Sequence, residues 1–505
     1  MSHPDEAPRR MPRLWISALA VAVVAMLPFA AALGADFVYD DFVLIVRNEL
    51  VRGFKLAELW TTQFFHNSPT IHFQYFRPLV TTSFAIDWSL WGGHAGGFHA
   101  TNLLIHAAVT CLVFLTLRRW TGRDGAALLA TLVWTWHPTK TEPVVWIAGR
   151  TDLLCTFGLL LATLGAARRF RGLRFGLPLE ILGTLVAFSS KEMAIVLPGL
   201  VAVEAWVAAG RPALGIRSVA RAIGRALPHG GLAAAYLVAR ALILPIESKE
   251  LAHSQTGLDV VLFAVETWGE TAKSLVWPWP LTTHRAPIYI DEAKNFIHDP
   301  TRIVLGVLTI LALVGAVVAT LRRKPLVAVG LLLAVFLFLP VANLRPTRMP
   351  LLTAERFLYL PSLGLALALA DILPRRDGAL ARAVYGGVAL ALAGGVAMAA
   401  LHTQNFLNER KFWTHELEVH PTLPAAIHAR VRQTLAERNH EEALELSWRG
   451  YQNGRIWTIA HPFEVEFALY AAQITEATTL DSEAASLDSL AAFYRAFFIE
   501  KDRAE

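Results

Sequence analysis

The stretch "LWISALAVAVVAMLPFAAALGA", Leu14 to Ala35, runs straight into "DFVYDDFVLIVRNELVRG", Asp36 to Gly53. The first piece is uncharged and apolar. A bilayer-crossing helix needs about 20 such residues. The second piece sets three carboxylates, Asp36, Asp40 and Asp41, where that helix would leave the hydrocarbon. Charge so close to a bilayer is expensive and is kept for a reason. Arg9, Arg10 and Arg13 before the run also suit a cleaved signal peptide. The apolar core exceeds the roughly 7–15 residues of a signal core, so an uncleaved anchor is expected.

Working outward, ten further apolar segments follow. They are Phe98 to Leu117, Ala126 to His137, Leu153 to Ala167, Phe175 to Ser189, Ala194 to Ala209, Leu227 to Ile246, Ile303 to Leu321, Leu326 to Leu344, Phe357 to Ile372 and Ala383 to Leu401. The composition agrees: 54% of the 505 residues are hydrophobic and 17% charged, against about 25% charged in soluble domains. The expected fold is an all-α polytopic membrane protein with about eleven transmembrane helices. The net charge of +5 needs no nucleic acid, because cytoplasmic loops gather Lys and Arg. The two cysteines, Cys111 and Cys155, lie within apolar runs, which excludes a disulfide framework.

With the N-terminus cytoplasmic, alternate loops at 118–123, 168–174, 211–225, 322–324 and 375–382 are all basic clusters. That is the positive-inside pattern. It holds only if Leu258 to Leu281, with Glu266, Glu270, Lys273, Trp277 and Trp279, makes no net crossing. The opposite loops, including the long 36–97 segment, then face the periplasm or a lumen. They carry the chemical variety, and the working face is placed there.

A hydroxyl is a weak nucleophile, and a positioned carboxylate can accept its proton. Asp40 and Asp41 stand at the right depth for that work; Asp36 reads as the first polar residue out. Asp41 could instead pair with Arg47 or Arg77. Arg345, Arg348 and Arg356 break the positive-inside pattern and are candidates for binding a phosphate, although Arg356 could simply pair with Glu355. Arg77, Glu142, Arg150, Asp152, Lys191 and Glu192 lie in the other outer turns and are candidates for the phosphate and sugar. His137 ends a span before Pro138 and reads as structural. No carboxylate stands at metal-ligand spacing from His99 and His106, so no metal and no cofactor are expected.

Six segments occur in order: "FVYDDFVLIVRNELVRG", "YFRPLVTTSFAIDWSLWG", "GFHATNLLIHA", "HPTKTEPVVWIAGRTDLLCTFGLLLA", "SSKEMAIVLPGLV" and "TAERFLYLPSLGLALALA". Together they resemble the transmembrane and tetratricopeptide-repeat O-mannosyltransferases, relatives of the protein O-mannosyltransferases of the GT-C superfamily. The resemblance runs from about Met11 to Leu401. It implies a GT-C bundle with a large first outer loop. It implies an inverting glycosyltransferase that takes a hexose, mannose among the candidates, from a polyprenyl phosphate carrier to a hydroxyl. The acceptor would be a Ser or Thr of a protein, or a glycan or lipid. By position, Asp40 or Asp41 would be the catalytic acid of the first outer loop.

After Leu401 the spans stop. Ile427, Val431 and Leu435, then Leu444, Trp448 and Tyr451, mark two helices that resemble one tetratricopeptide unit. Phe463 to Ile474 and Leu487 to Phe498 mark two more. The expected division is a transmembrane glycosyltransferase domain over 1–402 and a small periplasmic helical domain over 403–505, in a bacterial inner membrane. Two rival readings remain. A flippase of lipid-linked sugars would want intramembrane charge, for which Glu180, Glu204 and Arg240 are candidates. A membrane-anchored interaction protein leaves the acidic loop unexplained.

Overall fold

The computed structural model describes residues 18–66, 75–243, 256–290, 295–344 and 351–454. The described chain is helical apart from two antiparallel two-residue strands, Tyr289–Ile290 and Phe296–Ile297. The helices, in order, are α1 (18–25), α2 (Pro78–Trp91), α3 (Ala95–Thr121), α4 (Asp124–Thr135), α5 (Arg150–Phe170), α6 (Gly176–Phe188), α7 (Leu197–Ala208) and α8 (Ile216–Ile243). Then come α9 (Gly257–Val276), α10 (Pro300–Thr320), α11 (Pro325–Phe338), α12 (Ser362–Ile372), α13 (Ala379–Thr403), α14 (Glu409–Val419), α15 (Pro424–Ala436) and α16 (His440–Gly454).

Each apolar segment of the sequence holds a helix, but the first is not a single α-helix. After α1 the chain tightens into a 3-10 segment, Leu27–Gly34, with Pro28 near its start. Proline has no N–H to donate and its ring collides with the carbonyl one turn back, so the α ladder stops there.

Four helical stretches are long and apolar enough to cross a membrane: Ala95–Thr121, Ile147–Phe170, Pro300–Thr320 and Ala379–Phe406. Asp124–Thr135, Gly176–Phe188, Pro325–Val341 and Ser362–Ile372 are apolar and shorter. The lengthwise stripe Val304, Val307, Leu308, Leu311, Val314 and Val318 of α10 is exposed, which suits a hydrocarbon solvent and no other. The chain is a membrane protein.

Small residues let the helices close. A Cβ on Gly158 of α5 would stand 2.5 Å from the Ala187 nitrogen of α6, and one on Gly306 of α10 would stand 2.0 Å from the Val265 carbonyl of α9. Where lipid is as apolar as leucine, backbones that approach this closely supply the dispersion contact that holds a bundle. Along α9 the carboxylates turn inward, Glu266 towards His298 and Glu270 towards Arg285 and Arg302, while Trp277 and Trp279 are exposed just beyond it.

The two ends of the bundle differ. At the C-terminal end of α3, Arg118 pairs with Asp124 and Arg119 with Glu204, while Arg123 donates to the carbonyls of Ala370 and Leu373. Nearby, Glu180 is held by Arg169 and His229. At the N-terminal end of α3 gather the loops after α1, before α5, before α7 and before α12. Helix α14 packs at that end, and α15 and α16 form a hairpin behind it. The hairpin's second apolar stripe is Ala443, Leu446 and Ser447. It is not the Leu444–Trp448 stripe expected from spacing, for Trp448 is 47% exposed. Leu446 packs with Ile427 and Val431 of α15, and the short Ala443 and Ser447 are buried on the same face. The two further tail helices read from the sequence lie outside the described residues.

Candidate active site

The chain leaves α1 and its 3-10 extension and reverses at Tyr39, whose φ of 56° is in the left-handed region. A bulky residue holds that conformation only where surroundings over-determine it. Here they do, for the Tyr39 ring is enclosed by Trp146, His284, Phe412 and Trp413 at centroid distances of 5.3–5.6 Å. The next residues form a short π-helix, Phe42–Val46.

This turn separates the two adjacent acids. Asp41 is fully buried. Its oxygens accept the backbone N–H of Val38 at 3.1 Å and of Ala148 at 3.0 Å. Burial pushes it up to about 8, against the pull of those two amides. It meets neither Arg47 nor Arg77, so the pairing entertained for it from sequence does not form. Asp40 is half-buried, and among the described residues its carboxylate makes no hydrogen bond and no ion pair. Burial raises Asp40 to about 6, with Arg356, His284 and Arg77 opposing the rise. Of the two adjacent acids, Asp40 is the one whose carboxylate has no partner among the described residues.

Three ion pairs stand at the same end, and the cations of two of them, Arg356 and Arg77, act on the Asp40 charge. Arg356 pairs with the buried Glu142 through its guanidinium and, at 2.8 Å, its backbone N–H. Arg77 holds Glu192 at 3.0 Å, and Lys191 holds both oxygens of Asp152 at 2.7 and 2.8 Å. In the first pair the side chain that keeps surface is the cation, with Arg356 14% exposed and Glu142 0%. Burial lowers Lys191, although Asp152 favours its charge, and the neighbouring Arg77 and Arg356 add to the fall. The three pairs form one cluster. The surface pair Glu355–Arg356 weighed from sequence is not made: Glu355 turns the other way, to the Thr282 N–H at 2.8 Å and to Arg285 at 3.3 Å.

Arg150 is not part of this rim. It is fully buried and bonds Asp87 at 2.6 Å, Asn102 at 2.7 Å and the Phe98 carbonyl at 2.9 Å, tying α2 and α3 to the start of α5. Asn102 in turn donates to the carbonyls of Val144, Trp146 and Ile147. That fixes the turn whose Ala148 N–H grips Asp41. Gly149 is needed there, for a Cβ would lie 2.5 Å from the Pro143 carbonyl oxygen. Lys140, buried and pushed well below the usual lysine range by desolvation, donates to the Leu358 carbonyl and Ser362. It clamps the turn that carries Arg356.

Asp36 is exposed, its backbone N–H donating to the Leu407 carbonyl. His137 bonds Thr139 and the Leu275 carbonyl, and His106 bonds Tyr359 and Thr135. Arg345 and Arg348 lie outside the described residues. Sequence reasoning missed Tyr39, His284 and Glu416. Only Tyr39 had a local signal, its place inside the acidic motif; the other two come from segments far away in the chain.

The class defined by this fold and site is a polytopic helical membrane protein with a cluster of buried and half-buried acids and cations at one end of its bundle. Its relatives are proteins named protein O-mannosyl-transferase, as the six ordered segments suggest. The mouse protein O-mannosyl-transferase TMTC4 is 29% identical over 500 residues, covering 86% of this chain and 66% of that protein, and the human one is 29% identical over 86% and 65%. The fruit fly protein O-mannosyl-transferase Tmtc1 is 33% identical over 180 residues, 34% of this chain and 21% of that protein. The chain thus spans about two thirds of the length of the mouse and human relatives. No family model and no solved structure matches it.

Proposed function

We infer that the chain is an inverting glycosyltransferase. It moves a hexose, as in the mannosyl transfer named for its relatives, from a polyprenyl phosphate carrier to a hydroxyl of a protein, on the non-cytoplasmic face of a bacterial inner membrane. The observation that carries this reading is the Asp40 carboxylate of the first outer loop, half-buried and without a hydrogen bond or ion pair among the described residues, with Arg356 and Arg77 acting on its charge.

Asp40 orients the acceptor hydroxyl and takes its proton. The oxygen attacks the anomeric carbon, and the carbon–oxygen bond to the phosphate breaks with inversion. The leaving group is a lipid phosphate that gains one negative charge and needs cations more than a proton. Arg356 and Arg77 present guanidinium edges suited to phosphate oxygens, and Lys191 lies behind them as a point charge. Their paired carboxylates keep the cluster near neutral until the charge develops. Glu192 Oε1 is buried and bonds nothing among the described residues; a sugar hydroxyl would satisfy it. A carboxylate at about 6 is ionised at neutral pH yet remains a usable base. Arg345 and Arg348 are further candidates for the carrier phosphate.

The test is purified protein in liposomes with radiolabelled polyprenyl phosphate mannose and a Ser/Thr-rich acceptor polypeptide. Label should appear in the polypeptide, and Asp40→Asn should lower the rate by about 10²–10⁴-fold, the usual contribution of a general base. Transfer by Asp40→Asn at the wild-type rate would remove Asp40 from the chemistry. Label that crosses the bilayer unconsumed would make the protein a flippase.

A further inference from the structure

Helix α14 follows the last apolar span, yet its rings reach the turn that carries the two acids. The buried Phe412 lies nearly parallel to the Tyr39 ring, 5.6 Å away between centroids at an interplanar angle of 22°. The buried Trp413 meets the same ring edge-on, at 5.3 Å and 89°. Tyr39 is the residue whose φ of 56° reverses the chain just before Asp40. A bulky side chain is strained there, and packing around it must offset the strain. The helix that supplies the packing is itself fastened. His415 donates through Nε2 to the Leu281 carbonyl at 2.6 Å, and Glu416 accepts the Thr283 N–H at 2.9 Å and the Thr282 hydroxyl at 2.8 Å. Just before α14, the Leu407 carbonyl accepts the Asp36 N–H at 2.9 Å. The Tyr39 ring therefore packs against a wall that is tied to the chain on both sides of it.

We propose that Phe412 and Trp413 are positioning residues of the site: from α14 they hold Tyr39 in its left-handed turn, and that turn leaves Asp40 open to the acceptor hydroxyl while Asp41 is captured. This rests on Asp40 being the base. The two rings act through Tyr39 and not on the substrate. Adjacent acids would otherwise compete for the same surroundings. The reversal at Tyr39 sends Asp41 inward to the Val38 and Ala148 amides and keeps Asp40 half-buried beside it. Without the stacked ring the turn can relax to negative φ, and that rotation carries both carboxylates out of place. The helix after the last span is thereby a working part of the site and not a separate appendage.

The experiment reads the two acids against each other. The full-length protein is labelled at one mildly acidic pH by a water-soluble carbodiimide with an amine, and fragment-ion mass spectrometry separates Asp40 from Asp41. Wild type should carry label at Asp40 and little at Asp41. In Phe412→Ala the ratio of Asp40 to Asp41 label should fall severalfold. Its kcat for sugar transfer should fall by about 10²-fold, the cost of a misplacement near 1 Å, with KM for the polyprenyl phosphate mannose unchanged. Phe412→Tyr, which keeps the ring face, should restore both. The control is Phe114→Ala, a buried ring near the basic end of α3. It should leave ratio and kcat as in wild type, whatever it does to the unfolding temperature. A wild-type labelling ratio in Phe412→Ala, an equal fall in Phe114→Ala, or a kcat that survives the lowered ratio overturns the proposal. If Phe412→Ala does not fold, Phe412→Leu, which keeps most of the volume and loses the ring face, carries the test. Labelling needs no sugar transfer. A wild-type protein inert towards glycolipids would therefore overturn the transferase reading, and the labelling ratio would still decide whether the α14 rings place the two acids.

Discussion

At the scale of single residues, Asp40 and Asp41 are neighbours with opposite duties, and substitution should separate them. Asp41→Asn keeps one acceptor oxygen but turns an NH₂ towards an amide, leaving a buried N–H unmatched. Such a loss costs about 1–3 kcal/mol, so at pH 4, where the raised pKa of the buried Asp41 carboxyl costs little, thermal unfolding in detergent should come earlier. Asp40→Asn should do the reverse. A carboxylate raised to about 6 in the folded protein binds protons that the unfolded chain, near 3.9, has already lost. The folded state therefore loses stability as pH rises through that window and remains penalised at pH 7. The Asp40→Asn protein should unfold at a higher temperature than wild type while failing to transfer sugar. If it melts earlier, the carboxylate is not the strained group described here. The same shift fixes a pH profile: the base must be ionised, so kcat/KM should fall about tenfold per unit below pH 6 and stay flat just above it. A rate unchanged between pH 5 and 7 would exclude Asp40 as the titrating base. The adjacency of the two acids was plain in the sequence. Which one is free was not, because the Ala148 amide that captures Asp41 arrives from 107 positions away.

At the scale of elements, close helix contacts rest on positions where only glycine fits. On α10, Gly306 meets the α9 backbone while Gly315 has open space beside it. Gly306→Leu should therefore overpack the α9–α10 contact and destabilise by about 1–3 kcal/mol. Gly315→Leu should leave the unfolding temperature unchanged. Equal effects of the two would mean that helix propensity, not packing, decides. Apolar length located a helix within each of the eleven apolar segments, since a backbone in lipid must satisfy its own hydrogen bonds, while α14 carried no such signal. The 3-10 segment after α1 was not read, though Pro28 was there to signal it. The Leu444–Trp448 stripe was misassigned because α16 turns Ala443, Leu446 and Ser447 inward instead, a rotation set by the neighbouring helix and not by the segment.

At the scale of the whole molecule, the bundle carries basic loops at one end and the cluster of acids and cations at the other. The cytoplasmic side should be the basic end. An alkaline phosphatase fusion after Leu401 should be active and one after Arg323 inactive; the opposite pattern would put the cluster in the cytoplasm and exclude a periplasmic reaction. How much was legible follows from range. Composition, apolar run length and the spacing of arginines are properties of the chain alone. By themselves they determined that this is a helical membrane protein, and the order of its motifs pointed to its relatives. The tertiary structure decided which charges are spent on each other and which one is left over: Arg356 goes to Glu142, Lys191 to Asp152, Arg77 to Glu192, and Asp40 to none among the described residues. The physical reason is that a buried charge must find a partner. The partners here lie up to 214 residues apart, so only the folded arrangement of helices can say which carboxylate remains.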